Sequence, residues 1–289
     1  MLMAQGISMA VFGVGFFSDP ELLRDYQKSY ALPLNWLLLA FQHLGLFVVP
    51  ALLFASLVHR EPRRLLGFRR PRAQTLVFAA LLILLSVPMV NALVWLNEGM
   101  QLPSWLYGLE LAMQKLEEQA RELTDLLTSG TSLWMLGVNI LLVAALPALG
   151  EEMVFRGLVL PIFHRWTGSI HAAVWLSAAL FSAMHMQFYG FLPRLVLGAV
   201  LGYLFVGSRN IWIPILAHFA NNATALTLVF LMNSEMIDES IEHFEPSAPQ
   251  VLFAALSTLS VIAAIVWYLR RMKPMLAILP PSEDPLEIQ

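Results

Sequence analysis

The chain has 289 residues, 58% of them hydrophobic and 13% charged, with a net charge of −3, where an ordinary soluble domain carries roughly 25% charged residues. That deficit fits a lipid-exposed surface rather than a soluble core, and the mildly acidic balance argues against nucleic acid as a partner. The sequence contains no cysteine, which excludes disulfides, thiolate nucleophiles and cysteine-bound zinc.

The first stretch, Met1 to Phe17, is apolar, short and glycine-containing, with no basic region before its apolar run. It reads as an interfacial or re-entrant helix rather than a cleaved signal peptide. A membrane-spanning helix needs about 20 mostly apolar residues. The candidates are Leu34 to Val58, Thr75 to Leu96, Leu133 to Leu149 continuing towards Phe163, Ile170 to Met186, Leu192 to Val206, Ile211 to Met232, and Val251 to Leu269. About seven spans follow, the fourth and fifth being the shortest. Short gaps separate most of them, so the chain reads as an all-α, polytopic transmembrane helical bundle, one membrane domain over 1–289.

Charge orients the bundle. The loop after the first span holds Arg60, Arg63, Arg64, Arg69, Arg70 and Arg72, which places it on the cytoplasmic side. Alternation then puts Arg165, Arg209 and the Arg270, Arg271, Lys273 cluster inside. The acidic connections, 97–132 and 233–250, fall outside. Within the first of these, Glu110 to Leu127 has apolar residues at helical spacing, as in an amphipathic helix on the outer surface.

Ionisable residues at membrane depth cost several kcal/mol unless paired or hydrated, and their default reading is functional. They gather between Gly150 and Asn222. Glu152 and Arg156 are four residues apart on a helix and can pair. Glu151 is rotated about 100° from Glu152 and has no evident local partner. A desolvated carboxylate of this kind suits general-base work. Phe181 and His185 share a helix face, as do His218 and Asn222. Each group alone has a plain structural reading: a salt-bridged helix end, a packed histidine, an interhelical hydrogen bond. Jointly they place a carboxylate and two imidazoles in an apolar region. Glu151, His185 and His218 can hold a divalent ion such as zinc as a two-histidine, one-carboxylate site. Alternatively Glu151 and His185 activate water without a metal, with His218 and Asn222 donating to an oxyanion. No HExxH or GxSxG pattern is present.

The ordered set, Glu151-Glu152 with Arg156, Phe181 with His185, and His218 with Asn222, resembles the CPBP family, which includes CAAX prenyl endopeptidases and bacteriocin-immunity relatives. The resemblance covers about Leu133 to Met232, a peptidase-like core within the single domain. It implies an all-helical intramembrane endopeptidase. In it the residue matching Glu151 is the catalytic carboxylate, that matching His185 assists, and those matching His218 and Asn222 stabilise the oxyanion. Glu152, Arg156 and Phe181 support the site. The favoured mechanism requires no cofactor, because Asn222 is a poor zinc ligand. The implied partners are a peptide or membrane-protein substrate, lipidated or not, and the bilayer. The implied location is a bacterial cytoplasmic membrane. The alternatives are a non-catalytic binding or immunity protein that keeps the fold, and a small transporter using Glu151 and the histidines as a proton relay. One expectation conflicts with catalysis. At 1.5 Å per residue His185 lies about 22 Å above Ile170, near the outer end of its helix, while Glu151 and His218 lie towards the cytoplasmic half.

Overall fold

A computed structural model describes residues 31–238, 244 and 246–277. The helix expected over Met1 to Phe17 lies outside these residues. In chain order the described residues form α1 (Ala31–Val58), α2 (Ala73–Glu98), α3 (Tyr107–Thr128), α4 (Leu133–Thr167), α5 (Ile170–Met184), α6 (Phe191–Ser208), α7 (Trp212–Asn233) and α8 (Ala248–Ala277). Helices α1, α2, α4, α6, α7 and the Ala248–Arg271 part of α8 are long and apolar enough to cross a bilayer. The chain is a multi-pass, all-helical integral membrane protein.

The fourth expected span, Ile170 to Met186, is present as a shorter apolar helix. Helix α5 has 15 residues, about 22 Å against a hydrocarbon thickness of about 30 Å. It ends at Met184 because His185 caps it and Met186 turns to a left-handed φ of 54°. Its partner α4 is the converse case, a single helix of 35 residues, or about 52 Å.

Among the described residues three π-helical turns interrupt the regular helices: Leu44–Val48 in α1, and Ile140–Ala145 and Phe155–Val159 in α4. Each is followed two residues later by a proline, Pro50, Pro147 or Pro161. A proline inside a helix lacks an N–H, and its ring crowds the carbonyl four residues back. A widened turn moves that carbonyl aside and lets the helix run on. Pro88 stands inside α2 without such a turn, so the π-turns answer local packing as well as proline.

Among the described residues three apolar clusters hold the bundle. One joins α2, α6, α7 and α8 through Ala79, Leu82, Leu204, Ile213 and Tyr268; a second joins α1, α4 and the arginine-rich loop after α1 through Ala51, Leu66, Ala148 and Ile211; a third joins α4, α5 and α6 through Leu160, Val174, Ala178 and Ala199. Small residues bring α5 and α6 together: a Cβ on Gly198 would lie 3.1 Å from that of Ala178, and one on Gly202 3.0 Å from Val174. Such contacts are the main attraction between helices that share an apolar solvent. The expected amphipathic helix is α3. Its end is fastened to the bundle, where Asn139 donates to the Leu127 carbonyl and Asn233 donates to that of Thr128 at 2.8 Å.

Candidate active site

The geometry removes the conflict over His185. Helices α4 and α5 are antiparallel neighbours joined at Gly168, which takes the left-handed conformation with φ 65°. Glu151 lies 16 residues before Thr167 and His185 lies 15 residues after Ile170. Each is therefore about 23 Å from the turn, at one level. Helix α7 starts higher on α4: a Cβ on Gly157 would lie 3.5 Å from Ile211. Glu151 is six residues before Gly157 and His218 six after Trp212, so His218 also reaches the level of Glu151. The conflict came from measuring the depth of α5 from its own start; that start lies beside the far end of the 35-residue α4.

Glu152 and Arg156 are 0% and 1% exposed and form an ion pair of 2.8 Å. The guanidinium also donates to the Gly198 carbonyl at 2.9 Å and lies 4.9 Å from the centre of the Phe181 ring. Glu152 Oε1 accepts a second bond, from His218 Nδ1 at 2.9 Å. That contact fixes the tautomer: Nδ1 carries the proton, and Nε2 points on to Glu151 Oε2, 3.8 Å away. Phe181 packs its ring edge-on against His185 and His218, with centroids 5.0 and 5.8 Å away. His185 Nδ1 donates to the Phe181 carbonyl at 2.9 Å, which leaves its Nε2 as an acceptor.

A further histidine stands in the site. His43, on α1, is 9% exposed, donates from Nδ1 to the Leu39 carbonyl at 3.0 Å, and has Nε2 3.6 Å from Glu151 Oε1. Glu151 is therefore flanked by imidazole nitrogens on both oxygens. Sequence reading passed over His43 because the three motifs lie downstream of it. The available signal was the same one used elsewhere, an ionisable residue in an otherwise apolar span.

These side chains line a cavity of about 720 Å³. Its walls include His43, Glu151, Phe181, His185, His218 and Asn222. Asn222 Oδ1 accepts from Asn221 Nδ2 at 3.2 Å, so its own amide N–H groups are left for a ligand. Ala120, Leu123 and Thr124 of α3 close one side. That the amphipathic helix covers the site was not legible in its spacing.

Metal binding tests the donor set more severely. Zinc requires nitrogen and oxygen donors near 2.0–2.2 Å from one point. Among the described residues no group of three histidine, aspartate or glutamate side chains is arranged to hold a metal ion. The set Glu151, His185 and His218 shares a cavity but, in this arrangement, does not converge as ligands.

Residues 133–224 match the family described as Type II CAAX prenyl endopeptidase Rce1-like. Two Bacillus subtilis (strain 168) proteins are similar. YpbD, named as uncharacterized, is 24% identical over 120 residues, covering 39% of this chain and 59% of YpbD. YdiL, named as a candidate membrane peptidase, is 26% identical over 93 residues, covering 32% of this chain and 36% of YdiL. The matches thus span about three-fifths or less of these relatives. No solved structure matches significantly. The matched segment holds every motif residue that suggested the CPBP family; His43 lies before it.

Proposed function

We propose, for a chain whose residues 133–224 match an Rce1-like CAAX-endopeptidase family, that the cavity hydrolyses a peptide bond inside the membrane. The observation that carries this is Glu151, 7% exposed, aimed into a cavity large enough for a peptide segment and ringed by imidazole nitrogens. Glu151 takes a proton from water while His185 Nε2 accepts the water's other hydrogen and orients it. The water oxygen bonds to the peptide carbon, and the oxyanion that forms accepts from Asn222 Nδ2. His218 adds a second donor when its Nε2 carries a proton. Collapse breaks the C–N bond, and Glu151 returns the proton to the leaving amine. Glu152 and Arg156 hold His218 in place. No step is assigned to a metal.

The substrate is a CAAX-type or another membrane-proximal peptide. Purified protein in liposomes is offered a prenylated CAAX peptide and unmodified membrane-proximal peptides, with and without chelator, and products are read by mass spectrometry. The proposal predicts a single internal cleavage that survives chelation. Loss of cleavage on chelation would replace the metal-free mechanism with one that needs a bound ion. Intact peptides throughout would favour a binding protein that keeps the fold.

A further inference from the structure

Helix α6 is apolar, yet its fourth residue is Arg194. The position is unfavourable for a cation, since the first turn of a helix carries the positive end of the macrodipole. The guanidinium has five donors. One of them, Nη2, donates to the Gln187 carbonyl at 2.8 Å, while Nε is buried with no partner. Among the described residues no carboxylate lies within the 4.0 Å of an ion pair. Glu117 acts on it only from farther away, and Glu117 Oε2 is taken by the Tyr189 N–H at 3.1 Å.

The surroundings leave room for this side chain. A Cβ on Gly190 would run into the guanidinium, so the loop before α6 passes close only because glycine stands there. Arg194 lines the same cavity as Glu151, together with Leu197 and Leu201 one and two turns along the same face of α6. An arginine fork with spare donors, facing a mostly apolar cavity without an ion-pair partner, matches the planar geometry of a carboxylate.

We propose that Arg194 is a carboxylate-recognition subsite of the cavity, and that it anchors a peptide ligand by that group. This rests on the peptidase reading only for the ligand being a peptide. The carboxylate is supplied either by a chain terminus or by an acidic side chain. The competing role for Arg194 is a strut for the loop at 185–190, through Gln187 and Gly190.

The test is calorimetric binding to the full chain in nanodiscs. The protein carries Glu151→Gln, so that nothing is consumed. The probes are acetyl-Ala-Leu-Leu with a free terminal carboxylate, its terminal amide, and acetyl-Asp-Leu-Leu amide. A carboxylate probe binds about tenfold or more tightly than the neutral amide, and which of the two does so identifies the source. Arg194→Gln abolishes the preference and Arg194→Lys keeps part of it. Equal binding of all three probes, a preference that survives in Arg194→Gln, or no binding at millimolar concentration would each overturn the proposal. The comparison of acid with amide needs no change at Arg194, so a misfolded variant does not blunt it. If the wild-type protein cleaves no peptide while the Glu151→Gln protein still prefers the acid, the peptidase reading alone is refuted; if wild type cleaves but the Glu151→Gln protein binds acid and amide alike, this proposal alone is refuted.

Discussion

Replacing Arg156 with methionine tests whether the charge beneath the site is structurally necessary. The change keeps much of the apolar stem but removes the ion pair to Glu152, the hydrogen bond to Gly198 and the contact with the Phe181 ring. Glu152, 0% exposed and with Oε2 already unpartnered, is left as a buried carboxylate facing only His218. Removing one partner of a buried pair costs about 3–5 kcal/mol. A fall in Tm on the order of 10 °C follows, read by tryptophan fluorescence in detergent. The cost lies in the orphaned charge, so adding Glu152→Gln to Arg156→Met restores at least half of the loss while keeping an acceptor for His218. A single variant within 2 °C of wild type, or a double variant no more stable than the single, would refute the reasoning.

Asn222→Ala removes an oxyanion donor, and kcat falls about 100-fold or more with KM little changed, measured on the best substrate of the peptide panel. His43→Gln removes one imidazole from Glu151 and lowers kcat about tenfold, roughly 1.4 kcal/mol of barrier, with KM held; an unchanged kcat would make His43 a packing residue. Gly150→Ala sets a Cβ 2.9 Å from that of Phe47, forcing α1 away from α4 beside Glu151. It costs about 1–3 kcal/mol by thermal unfolding and lowers activity in the surviving protein.

Much of the architecture was legible because a bilayer admits few solutions: apolar runs of sufficient length became α1, α2, α4, α6, α7 and α8. The Glu152–Arg156 pair followed from spacing alone, since residues four apart on a helix must be neighbours. Helix lengths were not legible. The run from Leu133 towards Phe163 was expected, but not its full extent: with π-turns before Pro147 and Pro161, α4 continues to Thr167, 35 residues in all. That length lowers the start of α5 and brings His185 level with Glu151. The missed contacts are those between elements distant in sequence. His218 reaches Glu152 across 66 positions, and His43 reaches Glu151 from α1. No local pattern encodes either, because each depends on how three helices are rotated about their axes.

The central claim is that Glu151 moves the proton of the attacking water, and Glu151→Gln tests it most directly. The variant keeps the size and a hydrogen-bonding end but cannot take that proton. Cleavage by wild type and variant is compared on one substrate, with thermal unfolding run in parallel. The account predicts that cleavage falls to background while Tm stays within a few degrees of wild type. A folded Glu151→Gln protein that cleaves as fast as wild type would contradict it.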